Sequence, residues 1–126
     1  MSSHPFRAAV ESGDIDSVPA MLAEDVTFLS PVVFAPYEGR ETVSVILRAA
    51  FSVFEDFHYV RELEGDGGRD HALVFEARVG DRQVQGCDFL RTDEDGLICE
   101  FAVMVRPLSA AHALRDAMQA KLESVS

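Results

Sequence analysis

Two carboxylic acids lie inside stretches that otherwise read as apolar strand. Asp88 sits in Gly86-Cys87-Asp88-Phe89-Leu90, and Glu76 closes Ala72-Leu73-Val74-Phe75-Glu76. A carboxyl removed from water keeps its proton to higher pH, because burial disfavours the charged form. Such a group can donate a hydrogen bond to a carbonyl oxygen or work as a general acid or base. Strand alternation puts Gly86 and Leu90 on the face of Asp88, with Phe101 and Val103 joining from the next strand. Glu76 shares a face with Ala72 and Val74, and that face is either a cavity wall or a rim open to solvent. Two carboxylates in one cavity would push their pKa values apart, which is a common acid/base device.

Other chemistries find no support. No H-x-x-x-H, H-x-H or Cys/His cluster is present among His4, His58, His71 and His112, so no zinc or iron site is expected. His71 shares its alternation with Leu73 and Phe75. Cys87 and Cys99 match no redox or metal spacing and read as free thiols in strands. G-x-S-x-G, Walker A and G-x-G-x-x-G motifs are absent, so no cofactor is expected.

The chain that must position these groups has 126 residues and a formal charge of −11. That length suits one domain, taken as residues 1–126, with enough core to fold without a metal or disulfide. The negative charge argues against nucleic acid and against anionic membranes. The acidic residues are spread along the chain rather than gathered in a docking tail. No run approaches a membrane span, and Met1-Ser2-Ser3-His4-Pro5 shows no leader, so a cytoplasmic location is expected.

The elements follow from periodicity. Pro5 opens a first helix with Phe6, Ala9 and Val10 on one face. Asp14 can cap a second, with Ile15, Val18, Met21 and Leu22 inward, although Pro19 shortens it. Glu24 to Leu29 is a short strand, and Ser30 to Gly39 is loop. Val43, Ile46, Leu47, Ala50, Phe51 and Phe54 form one helical stripe. Strands are expected over 57–64, 71–79, 83–92 and 97–106, with a hairpin at Gly80-Asp81. Leu108, Ala111, Leu114, Met118 and Leu122 return to helical spacing. The class is α+β, a curved and mostly antiparallel sheet with helices gathered on one face.

Several segments then carry a resemblance: Ser12-Gly13-Asp14-Ile15-Asp16, Leu22-Ala23-Glu24-Asp25-Val26-Thr27-Phe28, Ser30-Pro31 and Gly39-Arg40-Glu41. Gly86-Cys87-Asp88-Phe89-Leu90-Arg91, Asp95-Gly96-Leu97-Ile98 and Arg106-Pro107-Leu108 continue it. In this order they resemble nuclear transport factor two-like proteins, nearest the SnoaL-like polyketide cyclase and ketosteroid isomerase group. The resemblance implies a cone in which a strongly curved sheet wraps the N-terminal helices and leaves a deep apolar pocket. It implies a small hydrophobic ligand and cofactor-free isomerase, cyclase or dehydratase chemistry. The same fold also serves non-catalytic binding proteins and dimeric interaction modules.

By resemblance, Asp88 falls where ketosteroid isomerase keeps a protonated oxyanion-hole aspartate. The partner phenol of that enzyme falls on Phe6 and the general base on Ser30. With one of three groups left, steroid isomerisation by that mechanism is not expected. Asp88 is the catalytic candidate. The ligand-binding candidates are Phe6, Ser30, Tyr37, Ile46, Val74, Glu76, Leu90, Phe101 and Val103. Ser30 either bonds a ligand or forms the turn with Pro31. Tyr37 either overhangs the pocket mouth or anchors its loop, and Tyr59 reads as a packing residue. The opposite strand face, with Leu73, Phe75, Ala77, Cys87, Phe89, Ala102 and Met104, is too apolar to stay bare. A homodimer through Leu73, Phe75, Cys87, Phe89 and Met104 would cover it, with the terminal helix taking a share. A one-residue shift of the alternation would exchange pocket and interface.

Overall fold

A computed structural model describes residues 4–124, so Met1 to Ser3 of the leader reading lie outside the described residues. Helix α1 spans Pro5–Ser12, with Pro5 in its first turn. The His4 ring nitrogen Nδ1 accepts the Phe6 N–H at 3.0 Å, and Gly13 at φ 77° closes the other end. The left-handed turn at that closing position is where glycine is favoured. The expected second helix is instead two single 3₁₀ turns, Ile15–Ser17 and Pro19–Met21. Pro19 cannot donate the backbone bond a longer helix needs, and Asp14 makes no side-chain cap. Leu22 therefore joins strand β1, Leu22–Leu29.

A two-residue strand β2, Tyr37–Glu38, interrupts the expected loop and pairs with β1. Helix α2 covers Arg40–Val53 and buries Val43, Ile46 and Leu47 of the expected stripe, as well as Ala49. Strands β3 (Glu55–Gly65), β4 (Asp70–Val79), β5 (Arg82–Thr92) and β6 (Ile98–Arg106) pair antiparallel in succession. The sheet order is β2-β1-β6-β5-β4-β3, with β1 parallel to β6. Helix α3, Leu108–Ser124, packs against α2 and strands β4 to β6. It lies on the cavity side of the sheet, so it takes no share of the outer face. The architecture is the α+β cone, a six-stranded sheet with helices held against one face.

Register fixes which side chains look inward. Leu73 faces Asp88, which faces Val103, and Phe75 faces Gly86, which faces Val105. Leu73, Phe75 and Ala77 are therefore core residues, at most 4% exposed. The sequence reading had β4 out of phase by one residue. The strand carries apolar residues on both faces, so its hydrophobicity does not declare its phase. The polar positions do, since Glu76 and Arg78 mark the outer side. His71 accordingly turns inward, opposite Leu90, and its Nε2 donates to Gly68 O at 2.9 Å.

The Phe75 ring lies directly over Gly86. A Cβ there would overlap that ring and come within 2.8 Å of Met104 O. Glycine at this position lets an aromatic ring pack flat on the sheet beside Asp88.

Candidate functional site

Between α2, α3 and the inner face of the sheet lies a cavity of about 350 Å³. Six phenylalanines line it: Phe28, Phe51, Phe54, Phe57, Phe75 and Phe101. Their rings hold one another in place. Phe57 stacks on Phe75 at 4.6 Å, and Phe54 meets Phe75 edge-on at 5.5 Å. Asp88 also lines this cavity and is 4% exposed.

Among the described residues, one side chain meets the Asp88 carboxyl. Tyr59 Oη donates to Asp88 Oδ2 at 2.9 Å. Tyr59 stands on β3 opposite Phe75 and reaches across β4 to β5. The Arg7 guanidinium lies 5.8 Å from the Tyr59 ring centre and pairs with Glu62 at 3.2 Å, which backs the phenol from α1. Burial raises the Asp88 pKa to about 7, and the Tyr59 hydrogen bond offsets part of that rise. Burial, and then the Asp88 charge, push the Tyr59 phenol well above its usual range. Tyr59 therefore remains a donor, while Asp88 stands near its titration point at neutral pH. An acid so placed can give or take a proton at little cost.

The structure brings together most of the expected residues and moves others away. Ser30, Tyr37, Ile46, Phe101 and Val103 line the cavity with Asp88. Ser30 forms the turn, its Oγ accepting the N–H groups of Val32 and Val33 at 3.1 and 3.2 Å. Tyr37 packs on Phe28 at the same wall. Phe6 is fully buried behind the lining, against Phe101 at 5.1 Å, and Leu90 lies in the core. Neither belongs to the lining. Val74 and Glu76 stand on the outer face because of the β4 phase, and Glu76 lies 3.6 Å from His58 there. Of the interface residues, Leu73 and Phe75 are withdrawn to the core. Cys87, Phe89 and Met104 stay outside, and Phe89 and Met104 are 43% and 64% exposed.

Sequence patterning assigns Tyr59 only a packing role and does not place the α3 stripe at the cavity. The phenol lies 29 residues from Asp88 and meets it only across a strand between them. The α3 residues had a legible spacing, but nothing local says which surface that stripe covers.

Residues 4–101 match the SnoaL-like domain. The chain belongs to the SnoaL-like family. A steroid delta-isomerase structure from Pseudomonas aeruginosa is 42% identical, with 95% of this chain and 88% of that chain covered and a TM-score of 0.92. A cystatin-like-fold protein from Silicibacter pomeroyi is 38% identical over 95% of this chain and 86% of that one, at a TM-score of 0.88. An epoxide hydrolase/cyclase-like enzyme of salinomycin pyran-ring formation shares the fold, at 19% identity, 83% and 87% coverage and a TM-score of 0.66. No curated protein matches the sequence. No helix among the described residues is long and apolar enough to cross a membrane.

The raised Asp88 pKa fixes a sign for stability. The folded chain keeps the Asp88 proton up to pH of about 7, whereas an unfolded aspartate loses it near 4. Between those values the folded state binds more protons, so stability falls as pH rises through the window. The loss is complete above pH 7 and amounts to at most about 4 kcal/mol. Asp88→Asn removes the ionisation and keeps an acceptor for Tyr59. Urea melts should show the variant gaining on wild type from pH 5 to pH 8. A difference that does not change with pH would contradict a desolvated Asp88.

Proposed function

We propose that this cavity binds a small, ring-built hydrophobic molecule bearing a carbonyl or hydroxyl oxygen, and that Asp88 performs cofactor-free acid/base chemistry on it. The observation that carries this reading is the Tyr59–Asp88 pair buried in a wall of phenyl rings. The protonated carboxyl donates to the ligand oxygen, and Tyr59 stabilises negative charge as it develops on Asp88. Above its pKa the same carboxylate can take a proton from carbon beside a carbonyl and return it to a neighbouring atom. Isomerase, cyclase and dehydratase reactions need only such transfers in a dry site. The likeness to the Pseudomonas aeruginosa steroid delta-isomerase supports an isomerase-type reaction. Phe6 and Ser30 still supply neither a phenol nor a base, so the acid/base work rests on Asp88. Binding without turnover is the alternative.

Thermal melts with a panel of steroids, aromatic polyketides and small enones test the proposal, because a ligand of the folded state raises the melting temperature. Wild type should be stabilised by an enone or phenol. Asp88→Asn should abolish turnover of any enone hit, and Tyr59→Phe should weaken binding by roughly threefold to tenfold through loss of one hydrogen bond. An Asp88→Asn enzyme that still turns over would defeat the catalytic reading. Stabilisation without product in wild type would leave a binding protein.

The outer face supports a second part of the proposal, a homodimer. Phe89, Met104 and Leu63 stand 43%, 64% and 48% exposed there, beside half-buried Val74 and Cys87. Apolar side chains gathered on one sheet face are normally covered. The occupant we propose is a second copy of this chain. Light scattering should give a dimer for wild type and a monomer for Phe89→Asp and Met104→Asp. Dimers of both variants would contradict this interface.

A further inference from the structure

Building on the ligand pocket proposed above, we infer that the second half of α3 is the element that selects ligand length, with Met118 and Leu122 as its specificity-determining residues. The two halves of this helix are held differently. Ala110 and Leu114 are at most 3% exposed and fix the first half in the core. Leu114, Met118 and Leu122 recur at a spacing of four and line the cavity as one row. Met118 and Leu122 are only half-buried, so part of their surface awaits a partner. They belong to the same cavity lining as Asp88.

The walls also differ in kind. The floor is made of phenyl rings that pack on one another, and Phe57 and Phe75 stand 4.6 Å apart. Interlocked rings of this type leave little room to adapt. Met118 is unbranched and flexible, and fits its shape to whatever lies against it. The sheet and α2 supply the acid and the aromatic floor, and α3 supplies the remaining wall. A short ligand bonded to Asp88 is satisfied by the floor alone. A longer one extends to the α3 row and buries the exposed parts of Met118 and Leu122.

The test compares two phenols that offer Asp88 the same hydroxyl, naphthol with two rings and estradiol with four. Fluorescence titration of the full chain gives both affinities. Met118→Ala and Leu122→Ala should weaken estradiol by roughly tenfold, the worth of one apolar side chain's contact, and leave naphthol within about threefold. Met118→Leu keeps the volume and should restore estradiol binding. Leu108→Ala, on the same helix but 72% exposed and outside the lining, should change neither. Equal losses for both phenols would mean that α3 merely holds the fold, and no loss for either would mean that ligands do not reach it; each result overturns the inference. Naphthol binding that falls with Asp88→Asn, beside an unchanged estradiol ratio, would leave the pocket reading standing and the α3 inference refuted. Failure of both phenols to bind wild type would overturn the two together.

Discussion

The arrangement turns on a carboxyl group kept out of water. Asp88 is 4% exposed and lines a cavity with six phenylalanines. An ionised carboxylate there would be costly, and one hydrogen bond from Tyr59 offsets only part of that cost. Everything that makes the site must therefore exclude solvent while leaving one opening. The curved sheet provides the inner row of side chains, α2 provides Ile46, Leu47, Ala50 and Phe51, Phe54 follows at its C-terminal cap, and α3 closes the remaining side. Gly86 contributes by having no side chain, since the Phe75 ring occupies the space over it.

The local parts of this design are legible in the sequence. The α2 stripe, the Gly80-Asp81 hairpin and the alternation of β5 and β6 all depend on neighbours a few residues away, and the structure shows each where the pattern puts it. The acid at 88 is visible for the same reason, as a charged residue on an inward phase between Gly86 and Leu90. Pro19 also gives a local warning, and the helix it shortens becomes two isolated turns. The order of motifs adds the family, which rests on the arrangement of many weak signals rather than on any one.

What the sequence hides is set by register between distant strands. β4 is apolar on both faces, so Leu73 and Phe75 could be read outward until pairing with Asp88 and Gly86 turned them in. The same phase turns Val74 outward, and it puts Glu76, whose face the alternation left open, on the solvent side beside His58. Tyr59 sits beside a bulge in the β3–β4 pairing, and simple alternation from the strand start does not reveal its partner. The stripe of α3 was recognisable, but an amphipathic helix states only that one face wants cover. Its place over the cavity depends on the whole sheet being built first.

The most direct measurement is the ionisation of Asp88 itself, followed through the chemical shift of its side-chain carboxyl carbon in 13C-aspartate-labelled protein between about pH 3 and pH 9. A neutral acid held in an apolar cavity should titrate with an apparent pKa of about 7. The Tyr59→Phe variant should titrate higher still, because the bond that favours the charged form is gone. Titration near 4, the range of a solvated aspartate, would show that water reaches the carboxyl and would contradict the buried acid on which the proposed chemistry depends.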